Sequence, residues 1–140
     1  MKIIGLRYFN VYGKGQSISY AGVITKFLER IRNKQSPIIY GDGLQKRDFV
    51  YVGDVAMANL LSMESKINSA FFNVGSGKTT SVLELADTII KASGLEIKPI
   101  FEKPLQGDIN ESQADTSLIE KMISWHAKIK LDDWLFKVLH

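Results

Sequence analysis

The sequence contains no cysteine, and only 3 prolines and 2 histidines in 140 residues. The missing cysteine removes disulfides, thiolate nucleophiles and cysteine-based zinc sites. His126 and His140 lack metal-ligand spacing and read as surface residues, so no metal is expected. No apolar run approaches the roughly 20 residues needed to cross a bilayer. The opening "MKIIGLRYFN" lacks the apolar region and cleavage site of a signal peptide. These absences predict a soluble, cytoplasmic chain with no membrane partner. Charge of one sign is lacking too: 18 basic residues stand against 15 acidic ones, net +3, and they are dispersed. Without a basic tract, no nucleic-acid partner is expected, whereas a few arginines serving a small anion fit the balance. A G-x-S-x-G nucleophile elbow is also absent, as are repeats and linkers.

What is present is an alternation of short apolar runs and helical patterns, which predicts a single α/β domain over residues 1–140. "KIIGLRYF" (2–9) is rich in β-branched and aromatic residues and reads as a strand; "NVYGKGQS" after it reads as a loop. Val23, Ile24, Phe27, Leu28 and Ile31 recur at helical spacing within 20–32. "PIIY", "RDFVYV" (47–52) and "AFFNV" (70–74) read as strands. Asp54 is placed to cap the helix through "VAMANLLSM". "EIKPIFE" (96–102), with Pro99, reads as an edge strand, and two short helices close the chain.

The segment "FFNVGSGKTTSV" (71–82) raises the possibility of a triphosphate loop. A Walker loop ending in Gly77-Lys78-Thr79 needs glycine at position 72, which is Phe72. Ser81-Val82-Leu83-Glu84 is instead S-x-x-E, the capping box, so the glycines are expected to serve a strand-to-helix turn. No dinucleotide fingerprint is completed elsewhere. Gly13-x-Gly15 is followed by Ile18, Gly41-x-Gly43 by Lys46, and Gly75-x-Gly77 by Thr80.

Four features remain as candidates for holding an anion. Asn10 lies where a strand ends, the helix after Ser19-Tyr20-Ala21-Gly22 offers free amides, and Arg47 carries a planar fork suited to phosphate. Tyr40 could stack on a flat base. The alternatives are that Asn10 caps its loop, that Arg47 pairs with Asp42 or Asp48, and that Tyr40 is core.

In order along the chain, "LRYFNVYGKGQ", "VITKFLERI", "PIIYGDGLQKRDFVYVGDVAMA", "FFNVGSGKTTSVLELAD" and "QGDINESQADTSLIEKMISW" resemble the NAD-dependent sugar epimerases and dehydratases. These extended short-chain dehydrogenases include UDP-glucose 4-epimerase. The resemblance covers nearly the whole chain but matches only the C-terminal, substrate-binding half of a family member. It implies part of an extended short-chain dehydrogenase fold, with a few strands of an incomplete Rossmann sheet. Family chemistry is hydride transfer at the sugar, by NAD and a Y-x-x-x-K pair carried in the other half. No tyrosine here is followed four residues later by lysine, so no catalytic residue is assigned and no turnover by this chain alone is expected.

By the same resemblance, Asn10 and Arg47 contact the diphosphate of a UDP- or dTDP-linked sugar. Val23 lies along the nucleotide, Ile38 and Tyr40 face the base, and Asp108 meets the ribose. Phe9 lies near the nicotinamide of NAD. The family has a second arginine where this chain has Leu105, and Lys103 is the nearby cation that could substitute in part. Strands made for a larger sheet imply exposed edges, covered by dimerisation or by a separate NAD-domain polypeptide. The competing readings are a non-enzymatic nucleotide-sugar-binding or dimerising remnant, and an NTP- or nucleic-acid-binding module.

Overall fold

The computed structural model describes residues 1, 3–16 and 22–140. Its strands are β1 (Ile3–Tyr8), β2 (Asn10–Tyr12), β3 (Ile38–Tyr40), β4 (Lys46–Tyr51), β5 (Ser69–Val74), β6 (Thr79–Ser81), β7 (Ile100–Glu102) and β8 (Glu111–Ser112). Its helices are α1 (Val23–Arg32), α2 (Val52–Glu64), α3 (Val82–Ser93), α4 (Ser117–Ile123) and α5 (Leu131–Leu139). β1 pairs in parallel with β5, β3 in parallel with β7, and β4 joins β2 and β8 in parallel and β6 antiparallel. This is the α/β class that the alternating pattern predicts. Residues 20 and 21, within the expected first helix, lie outside the described residues, as do the amides of Ser19 to Ala21.

Three local expectations are corrected. Asn10–Tyr12 is a strand, not loop, because its backbone is taken up by β4. Val52 begins α2 rather than ending β4. Asp54 does not cap α2: it sits in the first turn, after Tyr51, and its Oδ2 accepts from the amides of Lys128 and Ile129, both at 3.0 Å. A carboxylate that finds two free amides in a distant loop is withdrawn from its own helix.

Two apolar clusters hold these elements. In one, α3 packs on α1 and α5, with Phe27, Leu28, Ile31, Leu85, Ile89 and Leu135 buried against Ile39 and Phe49. Each fully buried aliphatic side chain contributes about 1.5–3 kcal/mol relative to exposure. The other lies beneath β1 and β5, where Phe72 and Val74 meet Val50, Val55, Ile119 and Trp125. β7 is exposed along its length and, among the described residues, pairs with β3 alone, as Pro99 beside it suggests.

The capping box forms as expected. The Glu84 amide donates to Ser81 Oγ at 3.1 Å, and the Ser81 amide donates to Glu84 Oε2 at 2.8 Å. Gly94 ends α3 at φ 68°, a left-handed conformation that glycine adopts without a Cβ penalty. The backbone and side-chain hydrogen bonds from Ser81 hold the Glu84 carboxyl below its ordinary pKa. A depressed pKa means that the unfolded state binds the proton more readily. The contribution is therefore present above the usual glutamate range and is lost as pH falls through the lowered value. Ser81→Ala should cost about 1 kcal/mol, and Glu84→Gln should flatten this acid-limb dependence in urea melts between pH 3 and 6. An unchanged acid limb would refute the assignment.

Candidate functional site

A cleft of about 500 Å³ opens between α1, β3, the start of β4 and the 105–108 loop. Asn10, Val23, Ile38, Tyr40, Arg47 and Asp108 all line it. They come from separate stretches of chain, so only the fold brings them together. β2 presents Asn10 beside β4, where its Nδ2 donates to the Asp48 carbonyl at 3.1 Å. That bond ties adjacent strands rather than capping a loop. β3 presents Ile38 and Tyr40 on alternate residues, hence on one face. Tyr40 is 36% exposed, so the core alternative does not hold.

Arg47 pairs with neither Asp42 nor Asp48. Its Nη2 donates to Asp108 Oδ1, and its Nη1 donates to the Lys46 carbonyl at 2.8 Å. The Arg47 and Asp108 side chains are 15% and 36% exposed, so the pair sits in the cleft wall with the arginine largely sheltered. Gln45, which sequence reading passed over, donates to the Tyr40 carbonyl at 2.9 Å and to Asp108 Oδ2 at 3.3 Å. It thereby fixes the carboxylate relative to the β3 end. Its signal was weak because a glutamine in a polar turn looks like any solvated side chain. Lys26 and Arg30 of α1 also line the cleft. They were unremarkable in sequence because a helix with an apolar stripe is expected to carry charge on its other faces. Leu105 does lie in the cleft wall and is 56% exposed, whereas Lys103 is not among the lining residues.

The "GSGKT" turn lies outside this cleft and is occupied from within. The Asp48 side chain is fully buried. Its Oδ1 accepts from the Ser76 amide at 2.6 Å and from Ser76 Oγ at 2.7 Å; its Oδ2 accepts from the Gly77 amide at 2.9 Å and the Ala114 amide at 3.0 Å. The glycines are required by this approach. A Cβ on Gly75 would lie 2.5 Å from Ala114 Cβ and 2.9 Å from Asp48 Oδ2, and Gly77 has φ +74°. The turn amides that a phosphate would need are thus spent on the protein's own carboxylate.

Phe9 lies between β1 and β2, half-buried, with its amide donating to the Val74 carbonyl at 3.0 Å. It is not part of the cleft wall. Tyr12 is buried, donates its hydroxyl to the Ile129 carbonyl at 3.1 Å, and has its pKa pushed upward by burial, with the Asp54 charge adding to the effect. That is opposite to what a tyrosine base needs. Among the described residues no group of His, Asp or Glu is arranged to hold a metal, and no helix is long and apolar enough to span a membrane.

Comparison with known proteins agrees with this architecture. Residues 1–75 match the NAD dependent epimerase/dehydratase family. A curated relative from Methanocaldococcus jannaschii, "Putative UDP-glucose 4-epimerase", is 43% identical over 136 residues, covering 96% of this chain and 44% of its own length. The crystal structure of UDP-glucose 4-epimerase from Thermotoga maritima, with UDP-glucose, superposes with a TM-score of 0.91 at 36% identity, covering 97% of this chain and 44% of that one. A UDP-glucuronic acid 4-epimerase from Bacillus cereus, in complex with UDP-4-deoxy-4-fluoro-glucuronic acid and NAD, gives a TM-score of 0.88 at 28% identity, with 97% and 43% covered. The chain belongs to the NAD-dependent epimerase/dehydratase family. It spans less than half the length of these relatives.

Proposed function

We propose that this chain is the nucleotide-sugar-binding half of a UDP-glucose 4-epimerase-like enzyme, with the hydride chemistry residing in sequence outside these 140 residues. The observation that carries this reading is the cleft itself, where Asn10, Val23, Ile38, Tyr40, Arg47 and Asp108 converge. Arg47 supplies a charged fork for a diphosphate, Tyr40 and Ile38 a surface for the base, and Asp108 an acceptor for ribose hydroxyls. On binding, the diphosphate would share or replace the Asp108 carboxylate at Arg47. Titration with UDP-glucose and dTDP-glucose, without NAD, tests this. Saturable binding should weaken roughly 10–100-fold in Arg47→Ala, the loss expected for one charge-assisted contact. Absence of binding by either ligand would overturn the reading.

The NAD-binding groups and the tyrosine–lysine pair would come from a separate polypeptide or an adjoining region. The free edge of β1 supports this. Among the described residues β1 pairs with β5 alone, Ile4, Leu6 and Tyr8 on one of its faces line a groove with α2, and Ser62 Oγ in that groove is buried without a partner among those residues. Phe71, 61% exposed, lies over Gly5 on the open face of the β1–β5 pair. An added strand would satisfy the β1 edge. Mixing this chain with a polypeptide carrying the glycine-rich loop and Y-x-x-x-K should yield UDP-galactose from UDP-glucose only in the mixture. Turnover by this chain alone would refute the division of labour.

A further inference from the structure

The charge in the cleft is unevenly distributed. Arg47 is compensated by Asp108, and Gln45 holds that same carboxylate in place. The opposite lip is Leu105, which offers no charge. A diphosphate entering this space therefore meets a near-neutral pair on one side and an aliphatic side chain on the other. The α1 wall differs. Arg30 already commits its Nε to the Ser36 carbonyl. Lys26 and Glu29 are both exposed and line the cleft, and neither forms an ion pair among the described residues, so this wall carries two cations to one carboxylate and its lysine is uncommitted. Lys26 lies one turn into α1, its amide bonded to the Gly22 carbonyl at 3.3 Å, so its side chain leaves the helix beside the first turn, at the positive end of the helix dipole.

We propose that Lys26 is the second cationic ligand of the cleft, contacting the diphosphate of a nucleotide sugar from α1 where Leu105 supplies nothing from the facing loop. The inference rests on the nucleotide-sugar reading of the cleft. A lysine is a compact point charge on a flexible stem. It holds an anion without imposing the two-toothed geometry of arginine, so its contribution is electrostatic and screened by salt.

The test is calorimetric titration of the full chain and its variants with UDP-glucose and with uridine, at 20 and 300 mM salt. Lys26→Gln should weaken UDP-glucose binding about 5–20-fold at low salt, and less at high salt, as expected for one partly exposed charge contact. Uridine, which has no phosphate, should bind Lys26→Gln as it binds the parent protein. Lys26→Arg should stay close to the parent, and Leu105→Arg should restore affinity to Lys26→Gln. Thermal melts check that each variant is folded; Lys26 is solvent-exposed, so its replacement should leave the melt unchanged. If the parent binds UDP-glucose and Lys26→Gln binds it equally well, this inference fails while the cleft reading stands. The same follows if Lys26→Gln loses uridine to the same degree. If the parent binds no nucleotide sugar, the cleft reading fails and this inference with it.

Discussion

Replacing Asp48 with alanine should destabilise the protein by about 3–5 kcal/mol, a large share of the roughly 5–15 kcal/mol typical of a folded domain. The carboxylate accepts from the Ser76 amide and hydroxyl, the Gly77 amide and the Ala114 amide, all within 3.0 Å. Alanine leaves the Ser76, Gly77 and Ala114 amides without their acceptor around a fully buried position, while the Ser76 hydroxyl keeps the Lys78 carbonyl. Buried donors without partners cost about 1–3 kcal/mol each, but relaxation of the turn lets water recover part of the sum. Asp48→Asn keeps the shape but turns an NH2 group toward two of the donors, so it should cost about half as much. Urea unfolding measures both; a shift below about 1 kcal/mol for the alanine variant would contradict the account. Function should suffer as well. Asp48 follows Arg47 on β4 and its own carbonyl accepts from Asn10 Nδ2, and the turn it holds is also tied to the 113–115 segment by Gln113 Nε2 donating to the Gly77 carbonyl and Asn73 Nδ2 to the Asp115 carbonyl. Loosening that junction should weaken nucleotide-sugar binding even at temperatures where the variant is folded.

Trp125→Ala should be comparably costly, about 3–5 kcal/mol, for a different reason. Trp125 is 2% exposed and fills the cluster beneath β1 and β5, against Phe72 and Val74. Its indole also donates to the Asp54 carbonyl at 2.9 Å, next to the carboxylate that holds the amides of Lys128 and Ile129. Alanine removes the ring and this anchor together, leaving a cavity that rigid strands fill poorly. The cluster is separate from the one backing the cleft. Ligand affinity should therefore be unchanged in Trp125→Ala wherever it remains folded. Equal losses of affinity in the Asp48 and Trp125 variants would show that the two clusters are coupled.

The local rules that make helices were legible in the residues. The apolar stripe of α1, the Ser81–Glu84 box and Gly94 carry their instructions within one or two turns, and each element formed where its pattern lay. Strands were legible where apolar β-formers run together, as in β1, β3, β5 and β7. Asn10–Tyr12 and Thr79–Ser81 are three residues each, too short for alternation to show, and they exist because β4 supplies their hydrogen-bond partners from far along the chain. Asp54 misled for the same reason: its position suits a cap, but its partners are at 128 and 129.

The site divides similarly. That Arg47, Tyr40 and Asn10 are suited to a phosphate, a base and a strand end follows from their side chains and local placement. Their convergence with Val23, Ile38 and Asp108 on one cleft does not, because nothing local relates position 10 to position 108. The pairing of Arg47 with Asp108, rather than with its sequence neighbour Asp48, was likewise decided in three dimensions. Asp48 points inward to four donors, so Arg47 turns instead to a carboxylate that a distant loop delivers. The sequence alone determined the family resemblance, the absence of a Walker glycine at Phe72 and the absence of a tyrosine–lysine pair, since these are matters of residue identity and spacing. Which charges compensate one another, which amides are already spoken for and which edge of β1 stays open were decided by packing, because hydrogen bonds and ion pairs are allotted by proximity in the folded chain.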